Sequence, residues 1–288
     1  MARVLQYLET PQYLRKALFP VHEDLKYAGL LNPVDAPHHM RMEDRSQYRE
    51  GVVLRDKKRQ GEIMDEFDDK GSLVDIGLRN PIRVDRKLQP NIRVTVHIDA
   101  KRSRKSKLMG TIVRPAEPRT KLGLYWGYEV RLATSLSEVW TGCPYESSSS
   151  AASASSSSSS SSTTTTSSSV PAHASGYDYV IGTSENGELA ENVKRKSDGE
   201  DAGDTKGWLP IKPFKHLMVV FGGLSGLESA VDSDEQLHVP KDETSSLFDL
   251  YLNTCPDQGS RTIRTEEALL ITMSLLRPYL DRNGVKPE

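Results

Sequence analysis

FDLYLNTCPDQGSRTIRTEEALLI, residues 248–271, decides the fold class. Phe248 to Asn253 is an apolar run of strand length. Thr265 can cap a helix, Glu266 and Glu267 complement its N-terminal dipole, and Leu269, Met273, Leu276 and Leu280 keep helical spacing, with Pro278 predicting a distortion or an end. Between strand and helix lies a long polar loop carrying Arg261 and Arg264, where a purely structural connection would need roughly two to six residues. Two more apolar runs precede it, Tyr177 to Thr183 and Leu217 to Phe221, each followed by a turn rich in small or polar residues. Continuous apolar strands are buried on both faces, as in a parallel α/β sheet. After the second comes Phe221-Gly222-Gly223-Leu224-Ser225-Gly226-Leu227-Glu228, where missing side chains let the backbone approach a ligand. The spacing is not that of a dinucleotide fingerprint, and the lysine of a phosphate loop is absent, so a bare glycine turn is the competing reading.

Toward the N-terminus the pattern changes. Val4 to Phe19 reads as two helices, because Thr10-Pro11 is an N-cap and first-turn pair, and Gly29 to His39 is a loop. Five strands are then predicted in Gly51–Leu54, Ser72–Gly77, Ile82–Val84, Ile92–Ile98 and Gly110–Val113, with Ile92, Val94, Val96 and Ile98 on one face and Arg93, Thr95 and His97 on the other. Such a cluster predicts a small OB-like barrel. Trp126 to Ala133 reads as a further strand and Ser135 to Trp140 as the start of a helix.

Composition narrows the function classes. The chain has 288 residues, which permits about two domains. Residues 147–169 contain only Ser, Thr and Ala, too little to offset the entropy of ordering, so 147–175 is expected to be a disordered insertion. There is no run of membrane-span length, and the expectation is a chain that works inside the cell and away from membranes. Cys143 and Cys255 lack metal-ligand spacing, and His38-His39, adjacent in a proline loop, are expected to point apart, so no metal site is expected. The net charge of −2 hides an uneven distribution: Arg41 to Lys121 holds 21 Lys and Arg against 13 Asp and Glu. Five of those cations, Lys101, Arg102, Arg104, Lys105 and Lys107, lie within seven residues. They point to RNA phosphate, with a solvated hairpin turn or a nuclear-import peptide as the alternatives.

VVFGGLSGLE and FDLYLNTCPDQGSRTIRTEEALLI, with ETPQYLRKALFP, GLLNPVDAPHH and RTKLGLYWGYEVRLA, resemble the SPOUT-class (α/β-knot) RNA methyltransferases of archaea and eukaryotes. The resemblance implies an α/β fold, a trefoil-knotted methyltransferase domain over 1–42 and 119–288 with an OB-like RNA-binding barrel inserted at 43–118. It implies S-adenosylmethionine (SAM) as cofactor, a homodimer, structured RNA as substrate and methylation of N3 of a uridine in ribosomal RNA; that substrate class and the basic clusters point to the nucleus or nucleolus, with the cytoplasm as the alternative. Relatives carry a strand and helix upstream of ETPQYLRK, so the resemblance implies an N-terminally truncated chain.

Carried over by position, the SAM pocket is expected to use Thr183 and its neighbour Asn186, then Gly222, Gly223, Asn253, Thr254, Gln258 and Gly259. Relatives usually have an arginine where Asn186 stands, which predicts a missing ionic contact there. Arg261 and Arg264 are the candidates for stabilising substrate phosphate or the anionic base, because a guanidinium suits a delocalised oxyanion. Pairing with Glu266 or Glu267 to fix the loop is their structural alternative. The rival to catalysis is a non-catalytic RNA-binding or assembly protein that keeps the scaffold.

Overall fold

The computed structural model describes residues 1–55, 71–99, 108–145, 176–190, 192–193, 209 and 211–285. The Lys101 to Lys107 cluster and the 147–169 tract lie outside them. Two compact units are formed, Met1–Leu132 and Ala133–Glu288.

The first unit is built on a closed barrel of β1 (Tyr48–Val53), β2 (Leu73–Asp75), β3 (Ile82–Val84), β4 (Arg93–Ile98) and β5 (Leu108–Val113). All five expected strands are present. β1 pairs antiparallel with both β2 and β4, and β3 runs parallel to β5, which closes the ring. Val53, Val74, Ile76, Ile82, Val84, Val94 and Val96 fill it. β1 is buried along its whole length, and Gly51 permits its close approach to β2, since a Cβ there would lie 2.8 Å from Ile76 Cγ2 and 2.9 Å from Asp75 O.

The outward face of β4 is not solvated, contrary to a simple two-sided strand. Helices α1 (Ala2–Glu9) and α2 (Gln12–Leu18) bring Glu9 to Arg93 Nη1 at 2.6 Å, and Arg93 Nε donates to Glu50 at 2.7 Å. Glu50 also accepts from Thr95 Oγ1 (2.5 Å) and Trp126 Nε1 (2.6 Å). Burial alone would raise the pKa of Glu9. Hydrogen bonds from His38 and Arg93 outweigh this and hold it at about 2. These bonds explain why residues 1–42 and 119–132, expected in the larger domain, lie in the compact unit of the barrel.

Three local readings are corrected. Trp126 to Ala133 forms no strand: the indole N–H is taken by Glu50 and Tyr128 OH donates to Leu5 O at 2.9 Å, so side chains rather than a ladder hold the segment. His38 and His39 do not point apart. Both Nε2 atoms converge on Glu9 O, at 2.9 and 2.6 Å. Thr10 does not cap α2, whose N-cap is Pro11; its hydroxyl donates back to Gln6 O at 2.9 Å.

In the second unit three parallel strands, β6 (Tyr179–Leu189), β7 (Leu217–Phe221) and β8 (Leu250–Asn253), lie in the order β7-β6-β8. The first part of the central strand, Tyr179 to Gly182, is buried on both faces as expected, whereas Glu185, Asn186 and Glu188 further along are exposed. Val180 packs with Leu136, Trp140, Leu227 and Phe248, while Ile181 packs with Leu209, Leu252 and Leu276. Here α3 (Glu117–Leu122) belongs to the first unit, and α4 (Leu136–Thr141), α5 (Gly226–Asp232) and α6 (Thr265–Asn283) to the second. Ser135 caps α4, its hydroxyl accepting from Glu138 N. α6 begins one residue earlier than Thr265 capping would require: Arg264 is the N-cap, and its backbone N–H donates to Glu267 Oε2 at 3.2 Å. The helix continues past Pro278 to Asn283. Its buried contacts are Thr272 and Leu276, whereas Leu269 and Met273 are exposed, so the expected apolar face is only partly used. The overall architecture is mixed α/β with a closed five-stranded barrel.

Candidate active site

Parallel strands aligned in one direction leave their carboxyl ends at one edge, where loops rather than helices can meet a ligand. In the second unit that edge opens into a cleft of about 320 Å³, between the ends of β6, β7 and β8 and the first two turns of α6. Thr183, Asn186, Gly222, Gly223, Asn253, Thr254, Gln258 and Arg261 all line it. Gly259 and Arg264 do not line it. Arg264 is drawn off by its position at the start of α6, and its backbone serves the helix cap.

Each loop is pinned by side chains that hydrogen-bond to backbone or to one another. Thr183 Oγ1 donates to Val220 O at 2.9 Å, joining β6 to β7. Asn253 Nδ2 donates to Glu185 O at 3.0 Å, while its Oδ1 accepts from Cys255 N at 3.1 Å, so one amide ties the distal half of β6 to the start of the loop after β8. Thr254 Oγ1 lies 2.6 Å from Thr272 Oγ1, which seats this loop on α6. Arg261 enters the cleft from the same loop.

The glycines divide into two kinds. At Gly222 a Cβ would lie 2.7 Å from Gly226 C and Leu227 N, so that glycine lets the turn close on itself. At Gly223 a Cβ would meet nothing within 4 Å, so it is open to the cleft. Gly226 has φ of 79°, a left-handed conformation that L side chains rarely adopt.

The residue that sequence reading missed is Glu228. It lines the cleft yet is 9% exposed, and its Oε1 accepts from Ser184 Oγ (2.6 Å), Tyr251 OH (2.7 Å) and Asn186 Nδ2 (2.9 Å). Burial pushes its pKa up, but bonds from Ser184, Asn186 and Tyr251 overcome that and bring it to about 2. Its partner Tyr251 moves the other way, raised far above the ordinary phenol by burial and by this carboxylate. Glu228 is therefore a fixed anion across the working pH range and a poor proton acceptor. Asn186 likewise has a role that was not foreseen: it is a neutral donor to this carboxylate. Lys241 also lines the cleft and carried no sequence signal. Among the described residues no group of three or more His, Cys, Asp and Glu is placed to hold a metal ion.

This combination of a glycine loop, a polar loop with an arginine and a parallel-sheet edge agrees with a sequence comparison. A family described as "Putative RNA methyltransferase" matches residues 1–174 and 162–276. The chain belongs to this family. Both the barrel and the cleft residues through Thr272 fall within the matched family segments.

Individual relatives are similar over the whole chain. The "28S rRNA (uridine-N(3))-methyltransferase" of Mus musculus is 43% identical over 288 residues, covering 100% of this chain and 61% of the relative. That of Homo sapiens is 44% identical over 287 residues, covering 99% and 62%. The Drosophila melanogaster protein of the same description is 42% identical over 280 residues, covering 97% and 47%. The chain thus spans about three fifths of the length of the mouse and human relatives and less than half of the fly one.

Proposed function

We propose that the protein is a SAM-dependent RNA methyltransferase that methylates N3 of a uridine in ribosomal RNA. The observation that carries this reading is the cleft itself: eight of the ten residues expected from the resemblance to bind cofactor or act on substrate line one cavity at the carboxyl edge of a parallel sheet. The base and the atom are supported by the similarity to the mouse and human 28S rRNA (uridine-N(3))-methyltransferases. A trefoil knot through the β8–α6 region, a second copy of the chain as partner and a nuclear or nucleolar place of work belong to the same reading. The alternative of a non-catalytic assembly protein is not favoured, because the pocket residues are assembled rather than lost.

The cleft fits SAM on three grounds. It has an open wall at Gly223 where no side chain intrudes, a fixed anion at Glu228 suited to a cationic ligand, and cations at Lys241 and Arg261 suited to its carboxylate or to substrate. Its volume is at the lower end of the roughly 300–1,000 Å³ typical of small-molecule sites. When bound, SAM supplies an electrophilic methyl group. The protein's part is positioning and charge. Thr183, Asn253 and Thr254 hold the three loops in register, which sets the approach of the two reactants. Arg261 stabilises the negative charge that the uridine imide carries once N3 has lost its proton. Glu228 cannot take that proton efficiently, since its hydrogen bonds hold it ionised as a weak base. The Lys101 to Lys107 cluster falls in sequence between β4 and β5, and in this reading it contacts RNA phosphate.

The test is transfer of labelled methyl from SAM to ribosomal RNA, followed by nucleoside analysis. Label in 3-methyluridine, lost in Arg261→Ala, supports the reading. RNA and SAM binding without any transfer would move the protein to the assembly class.

A further inference from the structure

Glu228 is a buried charge in the cleft whose bearing on which ligand is held goes beyond a general fit to a cation. It sits in the wall of the cleft, and every side-chain donor to it is neutral: a serine hydroxyl, a phenol and an amide, all on Oε1. Among the described residues no Lys or Arg pairs with it. The cluster therefore carries a net charge of −1. A buried carboxylate held in this way is costly unless a cation completes it. Its second oxygen lies outside the three-donor set, and the glycine at 226 keeps the space beside it free, since a Cβ there would lie 2.5 Å from Oε2. The departure at Asn186 takes on a positive meaning here. An arginine at that position would neutralise Glu228 within the protein, whereas the asparagine orients the carboxylate and leaves its charge unspent.

We propose that Glu228 makes this cleft selective for the sulfonium form of the cofactor, so that the cationic methyl donor binds and the neutral thioether left after methyl transfer is released. This rests on the reading of the cleft as a SAM site. The chemistry balances with solvent water as proton acceptor: the N3 proton passes to water, the N3 lone pair forms a bond to the methyl carbon, the carbon–sulfur bond breaks, and the pair stays on sulfur, which becomes neutral. S-adenosylhomocysteine (SAH) keeps the adenosine, the ammonium and the carboxylate, and differs only in the methyl and the charge at sulfur. A fixed anion close to that sulfur favours SAM over SAH by a Coulomb interaction that SAH cannot make. The same anion stabilises bound SAM more than the transition state, in which positive charge is leaving sulfur. Its removal should therefore raise KM while leaving kcat unchanged or higher.

The experiment is calorimetric titration of SAM, SAH and sinefungin, which carries an ammonium in place of the sulfonium methyl, into the full chain and into Glu228→Gln. Glutamine keeps the shape and an oxygen to accept the three donors. SAM and sinefungin are expected to weaken about tenfold or more while SAH changes by less than about twofold, the latter also showing that the pocket is intact. Tyr251→Phe, which removes a donor but keeps the charge, should leave the SAM-to-SAH ratio within about twofold of the wild type. An equal loss for all three ligands in Glu228→Gln would overturn the proposal, because the carboxylate would then serve the part they share. So would three unchanged affinities. Wild-type protein that binds none of the three would refute the SAM reading itself, an outcome distinct from both.

Discussion

Gly223→Leu should empty the cleft of cofactor without harming the fold. A Cβ at Gly223 meets no heavy atom within 4 Å, and the residue is not among those with positive φ, so leucine is tolerated by the backbone. Its effect on unfolding free energy should stay within about 0.5 kcal/mol, with any small gain coming from a less flexible unfolded chain. The same four carbon atoms enter a cleft of only about 320 Å³. A cofactor-sized ligand cannot give up that space, so the loss of SAM affinity should exceed about a hundredfold, or about 2.8 kcal/mol. Gly222→Ala is the control with the opposite signature. Its Cβ would press on the backbone of Gly226 and Leu227 at 2.7 Å, and shifting that turn should cost about 1–3 kcal/mol of stability. Urea denaturation and SAM titration on both variants separate the two effects. A Gly223→Leu protein that is stable and binds SAM as the wild type does would refute the placement of the pocket.

Three other outcomes are expected. Glu9 falls from 4.5 to about 2 in the folded chain, so its contribution of about 3 kcal/mol is complete above pH 4.5 and is lost as pH falls toward 2. Glu9→Gln should flatten that acid limb in pH-dependent denaturation, and an unchanged limb would contradict the assignment. Gly51→Ala should destabilise the barrel by about 1–3 kcal/mol, read as a lowered urea midpoint, because the methyl would meet Ile76 and the Asp75 carbonyl at under 3 Å. Replacing Lys101, Arg102, Arg104, Lys105 and Lys107 together by alanine should reduce the salt slope of RNA binding by up to about 4 and leave SAM affinity intact; an unchanged slope would remove these residues from the RNA interface.

Much of the architecture was legible because it depends on local pattern. The alternation in β4 put Val94 and Val96 in the barrel, and the unbroken apolar runs correctly announced a doubly covered parallel strand at β6. What was not legible depended on partners far along the chain. Arg93 and Thr95 looked like a solvent face, yet they are covered because Glu9 and Glu50 reach them from 84 and 45 residues away. Leu269 and Met273 kept helical spacing, but α6 turns Thr272 and Leu276 to the sheet, a choice that the period alone does not make. Trp126 to Ala133 has strand-like composition, but the Trp126 indole donates to the Glu50 side chain of β1 and the Tyr128 hydroxyl to the Leu5 backbone carbonyl of α1, instead of a ladder forming.

The site follows the same division. Glycines after a strand and an overlong polar loop before a helix are visible in sequence, and they located Gly222, Gly223, Asn253, Thr254, Gln258 and Arg261 in one cavity. Glu228 closes the quoted glycine motif, but nothing in a linear reading shows that Ser184, Asn186 and Tyr251, from 23 to 44 residues away, converge on it. Only their convergence turns an ordinary helical glutamate into a fixed charge. Arg264 shows the converse, since its backbone place as the N-cap of α6 sets it outside the cleft lining, which its side chain alone did not signal.

The central claim is that the cleft at the carboxyl edge of β6, β7 and β8 holds SAM, and amide hydrogen exchange with and without SAM tests it most directly. The account predicts slowed exchange in three separate segments, 183–186, 222–228 and 253–262, with the barrel strands unchanged. Saturating SAM that leaves those three segments unprotected, or protects a different surface, would contradict it.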